Sequence, residues 1–368
     1  MRRILFLTPF APSNKAGGEN YTRLLLENLS RDFQVDLIYY RYADDPPYQS
    51  PNSNVRVIKE MLNSILIKLR NWLYYPFIHP IFAIRFDREV LALVKYLIDE
   101  NNYDFLYLDH SQMALYGKYF PDIQKILMSH DVMAQRFSRS GHWLTRKLII
   151  VGERKMMTIP NTIVFSFSEK DRKIIKETYG IDSKVTNFFL DDSLVKAEPE
   201  KIEKRIVFFG KWKRPDNLDG LKWFFHNVYS KMDKSILVTI IGKWLPEQFQ
   251  SEIKDYSNVE YLGFVENPYP LIANSIATIS PLFSGAGVKV KVVESLACGT
   301  PVIGTDIAFE GLPEKFANMM LLANDADSYL KAMETGISVE ERRRMKEDFL
   351  ENYTSETIPQ FLLNYINK

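Results

Sequence analysis

Ser280-Pro281-Leu282-Phe283-Ser284-Gly285-Ala286-Gly287-Val288-Lys289-Val290-Lys291-Val292-Val293-Glu294-Ser295-Leu296-Ala297-Cys298-Gly299-Thr300-Pro301-Val302-Ile303-Gly304 is the stretch on which the reading of this chain turns. A strand over Ala277–Pro281 runs into a loop of small residues, a helix follows over Lys289–Ala297, and another strand spans Pro301–Gly304. Backbone N–H groups where the helix begins, near Val288, together with Lys289 or Lys291, suit a diphosphate. Gly285 and Gly287 let the backbone approach a bulky ligand without a Cβ in the way. Glu294, roughly two turns into the helix, can accept hydrogen bonds from two vicinal ribose hydroxyls. On spacing alone an ordinary strand–helix turn with solvated lysines accounts for the pattern slightly better, because a glycine loop by itself is weak evidence.

The same alternation extends in both directions. Arg3–Pro9 is a short apolar run ending in turn residues, which marks a buried parallel strand. A loop over Pro12–Gly18, with Gly17 and Gly18, leads into a helix over Glu19–Leu29 and a strand over Phe33–Tyr40. Further strands are expected at Phe105–Leu108, Lys125–Ser129 and Thr162–Ser168, and a helix over Glu169–Tyr179 stops at Gly180. Asp191–Glu203 is polar and without periodicity, so it reads as a linker. The alternation then restarts with strands at Arg205–Phe209, Ile236–Gly242 and Val259–Gly263 and a helix over Leu218–Val228. Two successive alternating α/β units predict two Rossmann-like domains, over residues 1–190 and 204–353. A terminal helix over 354–368, apolar at Ile358, Phe361, Leu362 and Ile366, is expected to pack back on the first domain.

The quoted stretch resembles the C-terminal signature of retaining glycosyltransferases of the GT-B fold, specifically family 4, most closely over Glu294-Ser295-Leu296-Ala297-Cys298-Gly299-Thr300-Pro301-Val302. The resemblance extends through Gly17-Gly18, Ser129-His130-Asp131, Phe167-Ser168-Glu169 with Asn187, Phe209-Gly210-Lys211 and Leu262-Gly263-Phe264-Val265. It implies an α/β protein whose two Rossmann-like domains face each other across a cleft holding a nucleotide-sugar. It also implies roles. Lys211 with Lys289 or Lys291 would neutralise the departing diphosphate in place of a metal, and Glu294 would hold the ribose. The backbone at Phe264 and Val265 would read the base, Ser284, Gly285, Gly287 and Val288 would line the donor loop, Gly18 would approach from the other domain, and His130 would bind the donor sugar. The implied activity transfers a sugar to a hydroxyl of a glycan, lipid-linked or protein-linked acceptor in cell-surface polysaccharide or glycoconjugate synthesis. One departure stands out. The family's Glu-x7-Glu motif requires a carboxylate eight residues before Glu294, where this chain has Ala286, and Ser284 stands where a longer loop would place it. That departure leaves a changed sugar pocket or a non-catalytic partner open, and a nucleotide-sugar epimerase is a further alternative.

Composition excludes other classes. With 368 residues, 46% hydrophobic and 25% charged, the chain suits two soluble domains. A single cysteine, Cys298, excludes an intrachain disulfide, and the five histidines are scattered, so no metal site is expected. His110, which ends a strand, reads as a structural cap. No stretch is long and apolar enough to span a membrane, so the cytoplasm is the expected compartment, with the inner face of the membrane as the alternative. Residues 1–185 carry 26 Lys and Arg against 20 Asp and Glu, and residues 186–368 carry 21 against 26. This split favours an anionic partner for the first half, yet it is too diffuse for nucleic acid. Residues 61–88 interleave aromatic and apolar residues with Lys68, Arg70, Arg85 and Arg88. They read either as the core face of a helical insert or as an interfacial helix at a membrane.

Overall fold

The computed structural model describes residues 2–14, 17–140, 143–353 and 356–367. Lys15 and Ala16 of the glycine loop and Thr354 of the terminal segment lie outside them. The chain forms two compact units: unit 1 is Met1–Phe189 with Ser355–Lys368, and unit 2 is Leu190–Thr354.

Unit 1 is built on seven parallel strands: β1 Arg2–Thr8, β2 Phe33–Arg41, β3 Val55–Leu62, β4 Phe105–Asp109, β5 Lys125–Met128, β6 Thr162–Ser166 and β7 Lys184–Val185. Their order is β3-β2-β1-β4-β5-β6-β7. Ile4–Leu7 of β1 are wholly buried because the sheet is covered on both faces, which is why the strand reads as an unbroken apolar run. The terminal helix, Ile358–Ile366, belongs to this unit. It starts on a capping box of Thr357 and Gln360, sets Phe361 edge-on to Phe165 at 5.2 Å, and lets the Tyr365 hydroxyl donate to Gln124 Oε1 at 2.8 Å.

Unit 2 carries β8 Glu203–Phe209, β9 Leu237–Ile241, β10 Val259–Gly263, β11 Ser275–Ser280, β12 Val302–Gly304 and β13 Met320–Leu322, all parallel, in the order β10-β9-β8-β11-β12-β13. Ile206, Phe208, Val238, Ile240 and Ile279 pack against Leu221, Phe224 and Tyr329 in its core. The polar stretch expected as a linker is a packed part of this unit. Leu194 is buried in it, and the buried Lys346 ammonium donates to the carbonyls of Val195 and Ala197 at 2.7 and 2.8 Å.

Two further expectations change. The stretch read as helical from residue 61 begins inside a strand, since β3, Val55–Leu62, forms the half-buried edge of the sheet. The segment that follows is three separate helices, Ile65–Leu73, Pro80–Ala83 and Arg88–Glu100, with Pro76 between the first two and Pro80 opening the second. The Ile65–Leu73 helix is turned the opposite way from a core helix. Asn71 is buried and donates to the Ile84 carbonyl at 3.2 Å, while Ile65, Leu66, Leu69 and Leu73 are 84%, 79%, 50% and 63% exposed.

Candidate functional site

In both units the strand order reverses beside the first strand, between β1 and β4 and between β8 and β11. Ligands of doubly wound sheets bind outside the carboxyl ends of the strands at such a point. The residues singled out from the sequence gather at these two places, and each is described within its own unit.

At the unit 1 switch point the organising residue is Asp109, the last residue of β4 and wholly buried. Its carboxylate accepts from Thr8 Oγ1 at 2.9 Å and Thr22 Oγ1 at 2.7 Å, and its other oxygen lies 2.7 Å from His130 Nε2. Burial by itself would raise this carboxyl, but the His130 and His110 rings and the hydrogen bonds from His130 and Thr22 hold it down at about 2. An ionised carboxylate only accepts, so His130 must carry its proton on Nε2, which leaves Nδ1 to face a ligand. A Cβ built on Gly18 would stand 3.7 Å from that Nδ1, so the glycine opens the approach to it.

His110 stacks flat on His130, with ring centroids 3.4 Å apart and planes 10° from parallel. Its backbone is left-handed, φ 63°, which aims the ring back over the strand end. Burial, with the neighbouring His130, drives its pKa down to about 3, so it is neutral. Tyr21 and Phe167 wall the pair edge-on at 5.4 and 5.2 Å from His130. The scatter of histidines in sequence hid this cluster: the ligand atoms of Asp109, His110 and His130 all lie within 4.8 Å of one another. A histidine coordinates a metal through a lone pair in its ring plane, and two stacked, nearly parallel rings do not converge on one ion. Within the trio the Asp109–His130 contact is the hydrogen bond, while His110 stacks on His130 at the end of β4 with its Nε2 unpartnered and 3.9 Å from Asp109.

In unit 2 the loop after β8 faces the loop after β11. Asn217 joins them: its Nδ2 donates to the Lys211 carbonyl at 3.1 Å, and its Oδ1 accepts from Lys291 Nζ at 3.1 Å. Burial pulls the Lys291 ammonium down to about 8, against the attraction of Asp216. Asp216, held below its usual value against the pull of burial, pairs with Arg214 at 2.9 Å. Lys289 turns back on its own loop and donates to the Gly287 carbonyl at 2.6 Å, with Glu310 3.9 Å away. A carboxylate therefore does reach this loop, from further along the chain than the motif would place it. Gly285, at φ 116°, lies with its would-be Cβ 3.6 Å from Lys289 Cε and 4.0 Å from Asp216 Oδ2.

The helix here is Val290–Ala297, capped by Lys289 without a side-chain hydrogen bond, so its first N–H groups have no capping side chain. Glu294 is about one turn in, closer to the loop than the sequence suggested. It accepts from the Tyr269 hydroxyl at 3.2 Å, and burial pushes its carboxyl up to about 7 against that bond. Phe264, 43% exposed after β10, lies under the Lys243 ammonium at 4.4 Å, with Val265 beside it. The Lys211 ammonium sits over Trp244 at 4.9 Å. Ser284 stands in the loop and supplies no carboxylate. Asp109, Asn217, Asp216 and Tyr269 were not legible beforehand; Asp109 alone carried a signal, as an acid ending an apolar strand.

Two doubly wound units of this kind are the GT-B fold of glycosyltransferases. Residues 203–338, within unit 2, match the family "Glycosyl transferases group 1". An uncharacterised 44.6 kDa protein of the cps region of Klebsiella pneumoniae is 24% identical over 201 residues, covering 48% of this chain and 52% of that protein. An uncharacterised glycosyltransferase of Methanosarcina mazei is 32% identical over 127 residues, covering 32% of this chain and 30% of that one. The chain thus matches about half or less of the length of these relatives. Among solved structures, sucrose-phosphate synthase of Thermosynechococcus elongatus superposes with a TM-score of 0.73 at 12% identity, covering 100% of this chain and 98% of that one. Anabaena Alr3699/HepE in complex with UDP gives 0.69 at 15%, covering 100% of both.

Proposed function

We propose that the protein is a retaining glycosyltransferase that moves a sugar from a nucleoside-diphosphate donor to a hydroxyl of a glycan, lipid-linked or protein-linked acceptor, without a metal. The observation that carries this reading is the unit 2 cluster, in which Lys291, Asn217 and the Lys211 loop meet the Val290–Ala297 helix start one turn before Glu294. That set supplies cationic and N–H donors for a diphosphate and an acceptor for the ribose hydroxyls. Stabilising the charge that grows on the leaving diphosphate is the largest single catalytic contribution in sites of this kind.

In the reaction, the bond from the anomeric carbon to the phosphate oxygen breaks and a bond to the acceptor oxygen forms on the same face. The acceptor proton passes to the departing phosphate, so no protein nucleophile is needed. His130, held in register by Asp109, presents Nδ1 as an acceptor for a sugar hydroxyl. The relative from a cps region and the HepE–UDP likeness are consistent with a role in surface polysaccharide synthesis and with a nucleotide donor. No helix among the described residues is long and apolar enough to cross a membrane. We place the protein at the cytoplasmic face of a membrane, touching it through residues 61–88, whose exposed leucines are the reason. Proton NMR of donor hydrolysis, run in EDTA over a panel of α-linked nucleotide-sugars, tests the reaction. The α anomer should be released first. Release of the β anomer first, or turnover only with added divalent metal, would contradict the mechanism.

A further inference from the structure

Arg85 lies in the turn between the Pro80–Ala83 and Arg88–Glu100 helices of unit 1 and is only 2% exposed. Its carbonyl is pinned by the hydroxyls of Tyr40 and Tyr116 at 2.8 and 2.9 Å, so its place is set by the core. Its guanidinium lies against the rings of Phe10 and Tyr40, 5.8 and 5.9 Å from their centroids. Nε and Nη1 have no hydrogen-bond partner, and the contact of Nη2 is the Tyr42 hydroxyl at 3.5 Å. No carboxylate among the described residues pairs with it. The acids nearby are engaged elsewhere: Asp87 with Arg70 and the Glu89 N–H, Glu60 with Arg41 and Tyr39. A buried guanidinium without an anion is costly, since burial strips its water and gives nothing in return.

A second cation faces the same phenol. Lys68 Nζ is 3.4 Å from the Tyr42 hydroxyl and 4.8 Å from the ring centroid. Burial would raise the Tyr42 pKa, yet Arg85 and Lys68 together bring it below its ordinary value. Tyr42 is 42% exposed, and its phenol lies between solvent and Arg85. On the other side Phe10 lies edge-on to His110 at 5.4 Å, which connects Arg85 to the His110–His130 stack within unit 1. Lys68 also belongs to the Ile65–Leu73 helix, the one that turns its aliphatic side chains outward.

Resting on the transferase reading above, we propose that Arg85 and Lys68 hold a phosphate group of the acceptor once Tyr42 swings aside, and that the acceptor is a phosphate-bearing amphiphile whose apolar part lies along Ile65, Leu66, Leu69 and Leu73. The phosphate supplies the anion that the buried guanidinium lacks and accepts the planar fork of N–H donors. The outward leucines cover the chain and the His110–His130 end receives the sugar.

The test is calorimetric titration of the full-length protein with inorganic phosphate and with dodecyl phosphate below its micellar concentration. The wild type should bind dodecyl phosphate, with affinity at least tenfold lower in Arg85→Met and in the Leu66→Ser/Leu69→Ser pair. Inorganic phosphate should bind more weakly and respond only to Arg85→Met. Equal affinity of dodecyl phosphate for the wild type and Arg85→Met overturns the proposal, as does a phosphate site to which the dodecyl chain adds nothing. Should Arg85→Met fail to fold, Lys68→Ala, on a half-buried side chain, gives the same comparison. UDP affinity should be unchanged in every variant. Loss of UDP binding by the wild type itself would instead count against the transferase reading and leave this titration readable.

Discussion

Asp109 sets the chemistry of unit 1 at the scale of single residues. Its carboxylate orders Thr8, Thr22 and His130 around one buried charge, so Asp109→Asn keeps the shape but loses the group that fixes the His130 tautomer. Transfer should fall by about 10²–10⁴-fold, the usual contribution of a positioned hydrogen-bonding group of this type, measured as kcat at saturating donor. Because this carboxyl is held at about 2, its contribution to stability is complete above its ordinary value of 3.8 and is lost as pH falls toward 2. Glu294 and Lys291 make the opposite prediction for donor binding. Ribose hydroxyls favour the ionised Glu294, so affinity for the nucleotide should rise with pH through about 7. The diphosphate favours the charged Lys291, so affinity should fall again above about 8. A nucleotide affinity that is flat from pH 6 to 9 in roughly this window would contradict both assignments. The sequence displayed Glu294 and Lys291 because they stand on one short helix. It concealed Asp109 and His110 as partners of His130, since β4 and β5 bring them together across 20 intervening positions only when the sheet forms.

Elements show where local pattern and tertiary packing disagree. The Ile65–Leu73 helix has the periodicity of a core helix, yet it buries Asn71 and exposes its leucines, because the Ile84 carbonyl needs a donor. Leu66→Ser with Leu69→Ser should therefore change stability by no more than about 0.5 kcal/mol, the range for exposed positions, in thermal denaturation. Asn71→Leu, although more apolar, should cost about 1–3 kcal/mol by leaving that carbonyl unpaired. The edge strand β3 escaped notice for a related reason: one side of an edge is wet, so Val55–Leu62 lacks the unbroken apolar run that gave β1 and β4 away. The helix Pro215–Asn227 is tied to the loop after β11 by a glycine. A Cβ at Gly220 would stand 2.0 Å from the Pro281 carbonyl oxygen. Gly220→Ala should push the helix off the loop after β11 and weaken nucleotide binding at least tenfold, while the unit 1 phosphate titration stays as in the wild type.

On the scale of the whole molecule, the two units carry different kinds of information. Both sheets were legible as alternating α/β, because parallel strands buried on both faces are written as apolar runs between turn residues. The family match lies wholly within unit 2, over residues 203–338, and includes the short contiguous stretch from Ser280 to Gly304. Unit 1 holds the net positive charge, a buried Arg85 without a carboxylate partner among the described residues, and the outward aliphatic helix, the features on which the proposed acceptor site rests. The departure from the Glu-x7-Glu pattern also looks different once folded. Glu310 comes to within 3.9 Å of Lys289, so the loop has a carboxylate beside it even though Ala286 and Ser284 offer none.

The central claim is that unit 2 binds a nucleoside diphosphate with its own lysines and Glu294. Titration of UDP, dTDP, GDP and ADP by calorimetry in EDTA, into the wild type and into Glu294→Ala and Lys291→Ala, measures it directly. The account predicts tight binding of one nucleotide, unaffected by EDTA and at least tenfold weaker in both variants. Absence of binding to the folded wild type, or binding that both variants leave unchanged, would contradict it and leave a non-catalytic partner protein as the better description.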